Sequence, residues 1–229
     1  MQNEVVTVMR LAKGSRWGAA LLVLGLLSGT CDDAESGEAE KRLVTSGEVC
    51  EGIFRGEAAE VLEQTAATRE FFPFGHGSGI TETAEFIRRS YVPGGVAPAS
   101  SVSEDLCLVY RSESTMPDIE ISFSLGEGRG GADDEVDLVR YELGRKALAG
   151  TGKSLLYSEC VSRKLDGSSE HPALLRGQLT RDFRSPTPAE ETREANLRLL
   201  AAATRALAKS LQCKNSADVP ESPTLQQSP

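Results

Sequence analysis

The chain has 229 residues and is 39% hydrophobic, enough for one ordinary domain with a sizeable core, so it is not disordered as a whole. Aromatic residues make up only 5%, so that core is aliphatic; a net charge of −9 argues against nucleic acid as the main partner and against an anionic membrane surface held by charge alone. Its two histidines, His76 and His171, exclude most histidine-rich metal sites.

Arg10, Lys13 and Arg16 form a basic patch ahead of Trp17–Thr30, a run without a charge. A membrane-spanning helix needs roughly 20 apolar residues. This run is too short to be a comfortable anchor and fits the apolar region of a secretory signal peptide over residues 1–30. Glu4 is out of place in such a segment, and Met9 followed by Arg10 makes a cleaner start. Cys31 closes the run, in Leu27-Ser28-Gly29-Thr30-Cys31, and Asp32-Asp33 follow. This stretch resembles a bacterial lipobox, in which small residues precede a lipid-bearing cysteine. Ser28 and Thr30 depart from the pattern, which has Leu and then Gly or Ala at those places. The resemblance implies a diacylglycerol thioether on Cys31. At roughly 0.8 kcal/mol per buried CH₂, two or more acyl chains anchor stably. Residues 31–46 then read as the lipidated cysteine and an acidic tether.

Thr45-Ser46-Gly47-Glu48 is a capping-box pattern. Val49, Ile53, Phe54, Ala58, Val61 and Leu62 follow at helical spacing, with Gly52 and Gly56 suggesting two short helices. Residues 71–79 read as a loop. Ile80, Ala84, Ile87 and Tyr91 predict a second helix, and residues 92–104 a second loop. Leu106–Arg111 predicts a strand. Ile119, Ile121, Phe123 and Leu125 alternate strictly with polar residues, predicting a half-buried strand with one wet face. After a glycine-rich loop at Gly126–Gly131, the spacing of Val136, Val139, Leu143 and Ala147 predicts another helix. Leu155–Val161 predicts a third strand. Leu175, Leu179 and Phe183, alternating with Arg176, Gln178, Thr180 and Asp182, predict a fourth. The clearest element is the last helix. It opens at Thr187-Pro188-Ala189-Glu190, carries an apolar stripe through Leu197, Leu200, Leu207 and Leu211, and can stop at Asn215. Residues 216–229 hold three prolines and no apolar pattern, and read as a disordered tail. The expected fold is α+β, one domain over 47–215: an antiparallel sheet of about four strands, helices on one face and a long C-terminal helix.

The lipobox-like end at Cys31, Val49-Cys50-Glu51-Gly52, Tyr141-Glu142-Leu143-Gly144, Leu156-Tyr157-Ser158-Glu159-Cys160-Val161 and Leu211-Gln212-Cys213-Lys214 stand out as short motifs. Together they resemble those of actinobacterial secreted lipoproteins of unknown function. The resemblance spans about residues 43–215. It implies an envelope location and a cysteine-stabilised domain, and supplies no activity or catalytic residue.

With Cys31 set aside for lipid, Cys50, Cys107, Cys160 and Cys213 remain. An even number in an exported domain reads as a disulfide framework. A zinc site is the rival, but the four are spread singly with no Cys-x-x-Cys pair. Three connectivities are open. Cys50–Cys107 with Cys160–Cys213 is favoured, because each pair would join a helix to a strand.

Gly126-Glu127-Gly128-Arg129-Gly130-Gly131 satisfies a dinucleotide-binding spacing, but Asp133, Asp134 and Glu135 follow, where they would repel pyrophosphate. Gly152-Lys153-Ser154 resembles the end of a P-loop, but it precedes a strand rather than opening a helix, so a turn is expected. His76 and His171 read as loop histidines. No Gly-x-Ser-x-Gly elbow occurs. The sequence therefore offers no catalytic, cofactor-binding or metal residue. The expected function is an envelope lipoprotein on the outer face of the cell membrane. It would act as a non-enzymatic module that binds an envelope protein or ligand, with no nucleic acid and no cofactor. An extracellular hydrolase using dispersed carboxylates is the alternative.

Overall fold

In the computed structural model, residues 42–73, 77–95, 102–126, 137–183, 187–214 and 216–228 are described. They belong to one compact unit, Glu40–Pro229. The signal segment with Met9 and Cys31, the tether up to residue 41, His76, the glycine-rich loop from position 127 onward and Asn215 lie outside the described residues.

Thr45 and Glu48 make half of the expected capping box: the Glu48 carboxylate accepts from the Thr45 backbone N–H at 2.9 Å and from its hydroxyl at 2.8 Å. These hydrogen bonds hold the Glu48 carboxyl below its usual range. No long helix follows. Val49–Gly52 is a single 3-10 turn in which Cys50 and Glu51 take left-handed backbone, and α1 (Glu57–Ala66) starts only after Gly56. The break at Gly52 and Gly56 is therefore real. β1 (Val44–Thr45) pairs with β2 (Glu70–Phe71) as a two-stranded ribbon. α2 (Gly79–Ser90) follows.

The main sheet has six strands, all antiparallel, where about four were expected. They are β3 (Glu104–Val109), β4 (Ile119–Leu125), β5 (Val139–Tyr141), β6 (Lys146–Ala149), β7 (Lys153–Cys160) and β8 (Ala173–Arg181), in the spatial order β3-β4-β8-β7-β6-β5. The two additional strands replace the helix that the spacing of Val136, Val139, Leu143 and Ala147 predicts. Val136 lies outside the described residues; the other three occupy two short strands and their turn. The reason is local. Gly144 sits in that turn at a φ of +57°, and a Cβ there would lie 2.6 Å from the Tyr157 carbonyl oxygen. A helix through Gly144 would forfeit this approach to β7 and the hydrogen bond from the Arg145 N–H to the same carbonyl, at 2.8 Å.

Period-two alternation decides which side chains enter the core. Ile119, Ile121 and Phe123 on β4, Leu175 and Leu179 on β8, Leu156 on β7 and Ala147 on β6 share one cluster with Leu197, Leu200 and Leu207 of α3 (Ala189–Leu211). Gly177 on β8 lets that layer close up. A Cβ there would meet Phe123 at 2.8 Å and Leu200 at 3.1 Å. The opposite face carries a smaller cluster of Leu148, Leu155 and Tyr157. No helix among the described residues is long and apolar enough to cross a membrane.

Two disulfides tie these layers: Cys50–Cys107 joins the first 3-10 turn to β3, and Cys160–Cys213 joins β7 to the end of α3. These are the pairs favoured from the sequence. α3 stops before Asn215. Gln212 takes left-handed backbone at φ 58°, its N–H bonds the Lys209 carbonyl, and the Cys213 N–H bonds the Ala208 carbonyl at 2.9 Å. That is a Schellman stop. It delivers Cys213 to Cys160 directly at the helix end.

Residues 216–228 correct the expectation of a disordered tail. Ala217 and Val219 are buried in the core and Leu225 packs against it. The tail then runs beside β5: the Ser228 N–H donates to the Arg140 carbonyl and the Glu142 N–H to the Gln226 carbonyl, both at 2.9 Å. The lack of an apolar period is no guide here, because the buried side chains are few and scattered and the contact with β5 is made through the backbone.

Two predictions follow from this architecture. The double variant Cys160→Ser, Cys213→Ser should lose about 2–5 kcal/mol in urea unfolding, the usual cost of removing such a bridge. Gln212→Gly should gain roughly 0.5–1 kcal/mol, since glycine adopts left-handed backbone without the Cβ clash. An unchanged or lower midpoint for Gln212→Gly would show that the Gln212 side chain does more than turn the chain.

Candidate functional site

The last residue of β8, Arg181, has the same strand parity as Leu175 and Leu179 and so projects towards α3. There its NH2 group donates to Asn196 Oδ1. Asn196 is itself fully buried, and its amide donates to the Gly150 carbonyl at 3.0 Å and the Thr151 carbonyl at 3.4 Å. One side chain of α3 thus joins the β6–β7 turn to the end of β8. Gly152-Lys153-Ser154 is the last part of that turn and the start of β7, as expected from its position before a strand; the Gly152 carbonyl accepts from the Arg181 N–H at 2.8 Å.

A cavity of about 550 Å³ opens beside this junction, lined by Thr151 and Gly152 of the turn, Arg181, Asp182 and Phe183 at the end of β8, and Thr187, Ala189 and Thr192 at the head of α3. Its size is that of a small-molecule site. The helix begins at Ala189 with no side-chain cap. Thr187, expected as the N-cap, instead shares a hydroxyl–hydroxyl hydrogen bond with Thr192 at 2.8 Å.

The electrostatics of this cavity centre on Arg181. The residue is only 5% exposed, and its Nε and NH1 have no hydrogen-bond partner. Burial, with the nearby positive Arg111, lowers its pKa to about 10. Arg111 itself is well compensated: its Nε and NH2 sit 2.9 and 2.8 Å from Asp118 Oδ1, and its backbone N–H donates to Oδ2 at 2.7 Å. Both guanidinium groups approach the Phe183 ring, Arg111 at 3.6 Å and Arg181 at 4.9 Å from its centroid. The ring's negative face offsets part of the positive charge.

The remaining sequence candidates stand elsewhere. Cys50, Cys107, Cys160 and Cys213 are consumed in disulfides. His171 lines a second cavity of about 310 Å³ with Tyr91, Gly94 and Glu170, and its carbonyl accepts from the Tyr91 hydroxyl. No group of three His, Cys, Asp or Glu side chains that could hold a metal occurs among the described residues. The carboxylates that burial raises, Asp105 and Glu120, lie on adjacent strands β3 and β4 as diagonal neighbours; Glu104 adds to the shift of Asp105, and Asp105 to that of Glu120. Neither lines the Arg181 or the His171 cavity. Arg181 is the residue that reading the sequence for motifs misses. Its signal is parity: it falls on the apolar side of an alternating strand. No protein-family model, curated protein sequence or solved structure matches the chain.

The raised carboxyls of Asp105 and Glu120 set a pH dependence. Each keeps its proton to higher pH in the folded chain than in the unfolded one. The stability they give is full below the ordinary carboxylate pKa and is lost as pH rises through the raised value. Glu120→Gln, which cannot ionise, should therefore raise Tm relative to the parent at pH 7 and change it little near pH 3. A Tm difference of the same size at both pH values would contradict this account.

Proposed function

We propose that this chain is an exported lipoprotein of the cell envelope, held at the outer face of the cell membrane by lipid on Cys31. In this reading its α+β domain binds an envelope protein or ligand and does not turn over substrate. The observation that carries it is the pair of disulfides, Cys50–Cys107 buried and Cys160–Cys213 packed at the edge of the core. Such bridges persist in oxidising compartments and are rare where glutathione and thioredoxin keep thiols reduced. The position of Cys31 at the end of the uncharged run supports lipid attachment. The cavity at the head of α3 supports binding, since it joins a buried cation, three threonines and an aromatic ring around a space of small-molecule size.

Fractionation of a Cys31→Ser variant tests the anchor. The parent should sediment with membranes and the variant should pass to the soluble or secreted fraction. A variant that remains as firmly bound as the parent would overturn the lipid reading. In parallel, the purified protein should be silent across a broad panel of hydrolase substrates. Turnover abolished by replacing one Asp or Glu would establish the hydrolase alternative in its place.

A further inference from the structure

We infer that the foot of α3 is a docking surface for an anionic polymer of the envelope, engaged through a patch of exposed cations drawn from three segments. The inference rests on the reading of the domain as an envelope binding module and specifies one partner of that module.

The patch forms where two helix ends meet one loop. Arg88 and Arg89 lie in the last turn of α2, Lys209 in the last turn of α3, and Lys214 just beyond it. Arg163 and Lys164 come from the loop after β7, and all six residues are exposed. Lys164 Nζ donates to the Ser210 carbonyl at 2.8 Å, and the Lys214 N–H to the Val161 carbonyl at 2.9 Å. Arg163 and Lys214 border the same shallow hollow. On the α2 side, the hydrogen bond from Arg88 and the charges of Arg88, Arg89 and Lys164 hold the Glu85 carboxyl below its usual range. The carboxylates nearby are Glu85, Asp166 and Glu170, so cations outnumber them two to one in a chain of net charge −9.

Helix dipoles account for part of this patch. Arg88, Arg89 and Lys209 stand at helix C-termini, and the Lys164 ammonium caps a terminal carbonyl. Arg163 and Lys214 have no such role, and neither they nor Arg89 form an ion pair among the described residues. The loop that presents Arg163 is nonetheless wired in place. The Ser162 N–H donates to the Ser168 hydroxyl at 2.9 Å, that hydroxyl donates back to the Ser162 carbonyl at 2.8 Å, and Leu165 between them is buried. A surface held in this way loses little freedom on binding.

The partner follows from how the charge is laid out. Exposed cations spread over a surface, rather than gathered in a cleft, suit a polymer with many salt-sensitive contacts. A bilayer fits less well. The chain enters the domain at β1, which reaches the sheet through β2 and Phe72 beside Tyr110, at the sheet end where β8 finishes and α3 later begins. The patch lies at the other end of α3, 23 residues or roughly 34 Å away. Asp32, Asp33, Glu35, Glu38 and Glu40 precede that entry and would be repelled by anionic lipid.

The test follows the fluorescence anisotropy of labelled polyphosphate as the full chain, in neutral detergent micelles, is titrated into it. Binding should be saturable at about 50 mM salt and weaken steeply by about 200 mM. The triple variant Arg89→Gln, Arg163→Gln, Lys214→Gln should bind at least about tenfold more weakly with an unchanged Tm. The control triple Arg42→Gln, Arg69→Gln, Arg140→Gln removes the same charge elsewhere and should bind like the parent. Micelles doped with phosphatidylglycerol to the same total charge should compete poorly with the polymer. Four results would overturn the inference: no polyphosphate binding by the parent, equal weakening in both triples, competition by anionic micelles as strong as by unlabelled polymer, or sedimentation showing that the patch triple abolishes self-association instead of polymer binding. The titration reads the patch and the Cys31→Ser fractionation reads the anchor, so failure of one leaves the other standing.

Discussion

α3 is fastened to the sheet at both ends by ties that packing alone would not supply. At its head, Asn196 donates to the β6–β7 turn and accepts from Arg181. At its foot, Cys213 is bonded to Cys160, the Ser162 hydroxyl donates to the Leu211 carbonyl, and Lys164 Nζ donates to the Ser210 carbonyl at 2.8 Å. Between these ties runs an apolar face rich in leucine and alanine, packed on β6, β7 and β8. α1 and α2 contact α3 in turn, and α2 extends the layer to β3 and β4. α1 and α2 thus share α3 as a common neighbour.

Arg181 stands out against that background. The core is otherwise built in the ordinary way, with aliphatic side chains on one parity and small residues where layers approach. Replacing a buried, unpaired cation with an apolar residue of similar volume is often neutral or stabilising. Folding alone gives little reason for a guanidinium at this place. Its neighbours explain how it is tolerated, through one amide oxygen and one aromatic face, and leave its remaining hydrogen-bonding capacity open.

How much of this could be read from the residues depends on the kind of signal. β4 was plain as a strand because Ile119, Ile121, Phe123 and Leu125 alternate with polar residues without interruption, but the wet face that this alternation predicts is not wet: Ser122 and Ser124 are buried there. α3 was plain because its stripe persists from Leu197 to Leu211, about four turns. The cysteines were legible as a framework because four remain once Cys31 is set aside, and the observed pairing was favoured because each bridge would join a helix to a strand. The region around Val139, Leu143 and Ala147 misled because a spacing of four residues is shared by a helix face and by two short strands flanking a four-residue turn. Tyr141, Ala147 and Ala149 keep period two only within segments of three and four residues, too short for periodicity to decide. The tail was illegible for a different reason: its core side chains, Ala217, Val219 and Leu225, are too few and scattered to form a period, and its pairing with β5 runs through the backbone. The cavity joins residues from positions 151 to 192 across three elements, and only the parity of Arg181 along β8 hinted at it.

That tail pairing bears on how the sheet behaves at high local density. A sheet edge with free N–H and C=O groups is a template on which another chain can add a strand. Here the β5 edge is occupied by the chain's own Gln226–Ser228, and on the β3 side Phe72 bridges to Tyr110 while the Ser78 N–H bonds the Asp105 carbonyl at 2.7 Å. Both outer strands are thus engaged by segments of the same molecule. Molecules crowded side by side would meet neighbours whose outer strands are already partly engaged, which leaves less backbone for one sheet to grow into the next.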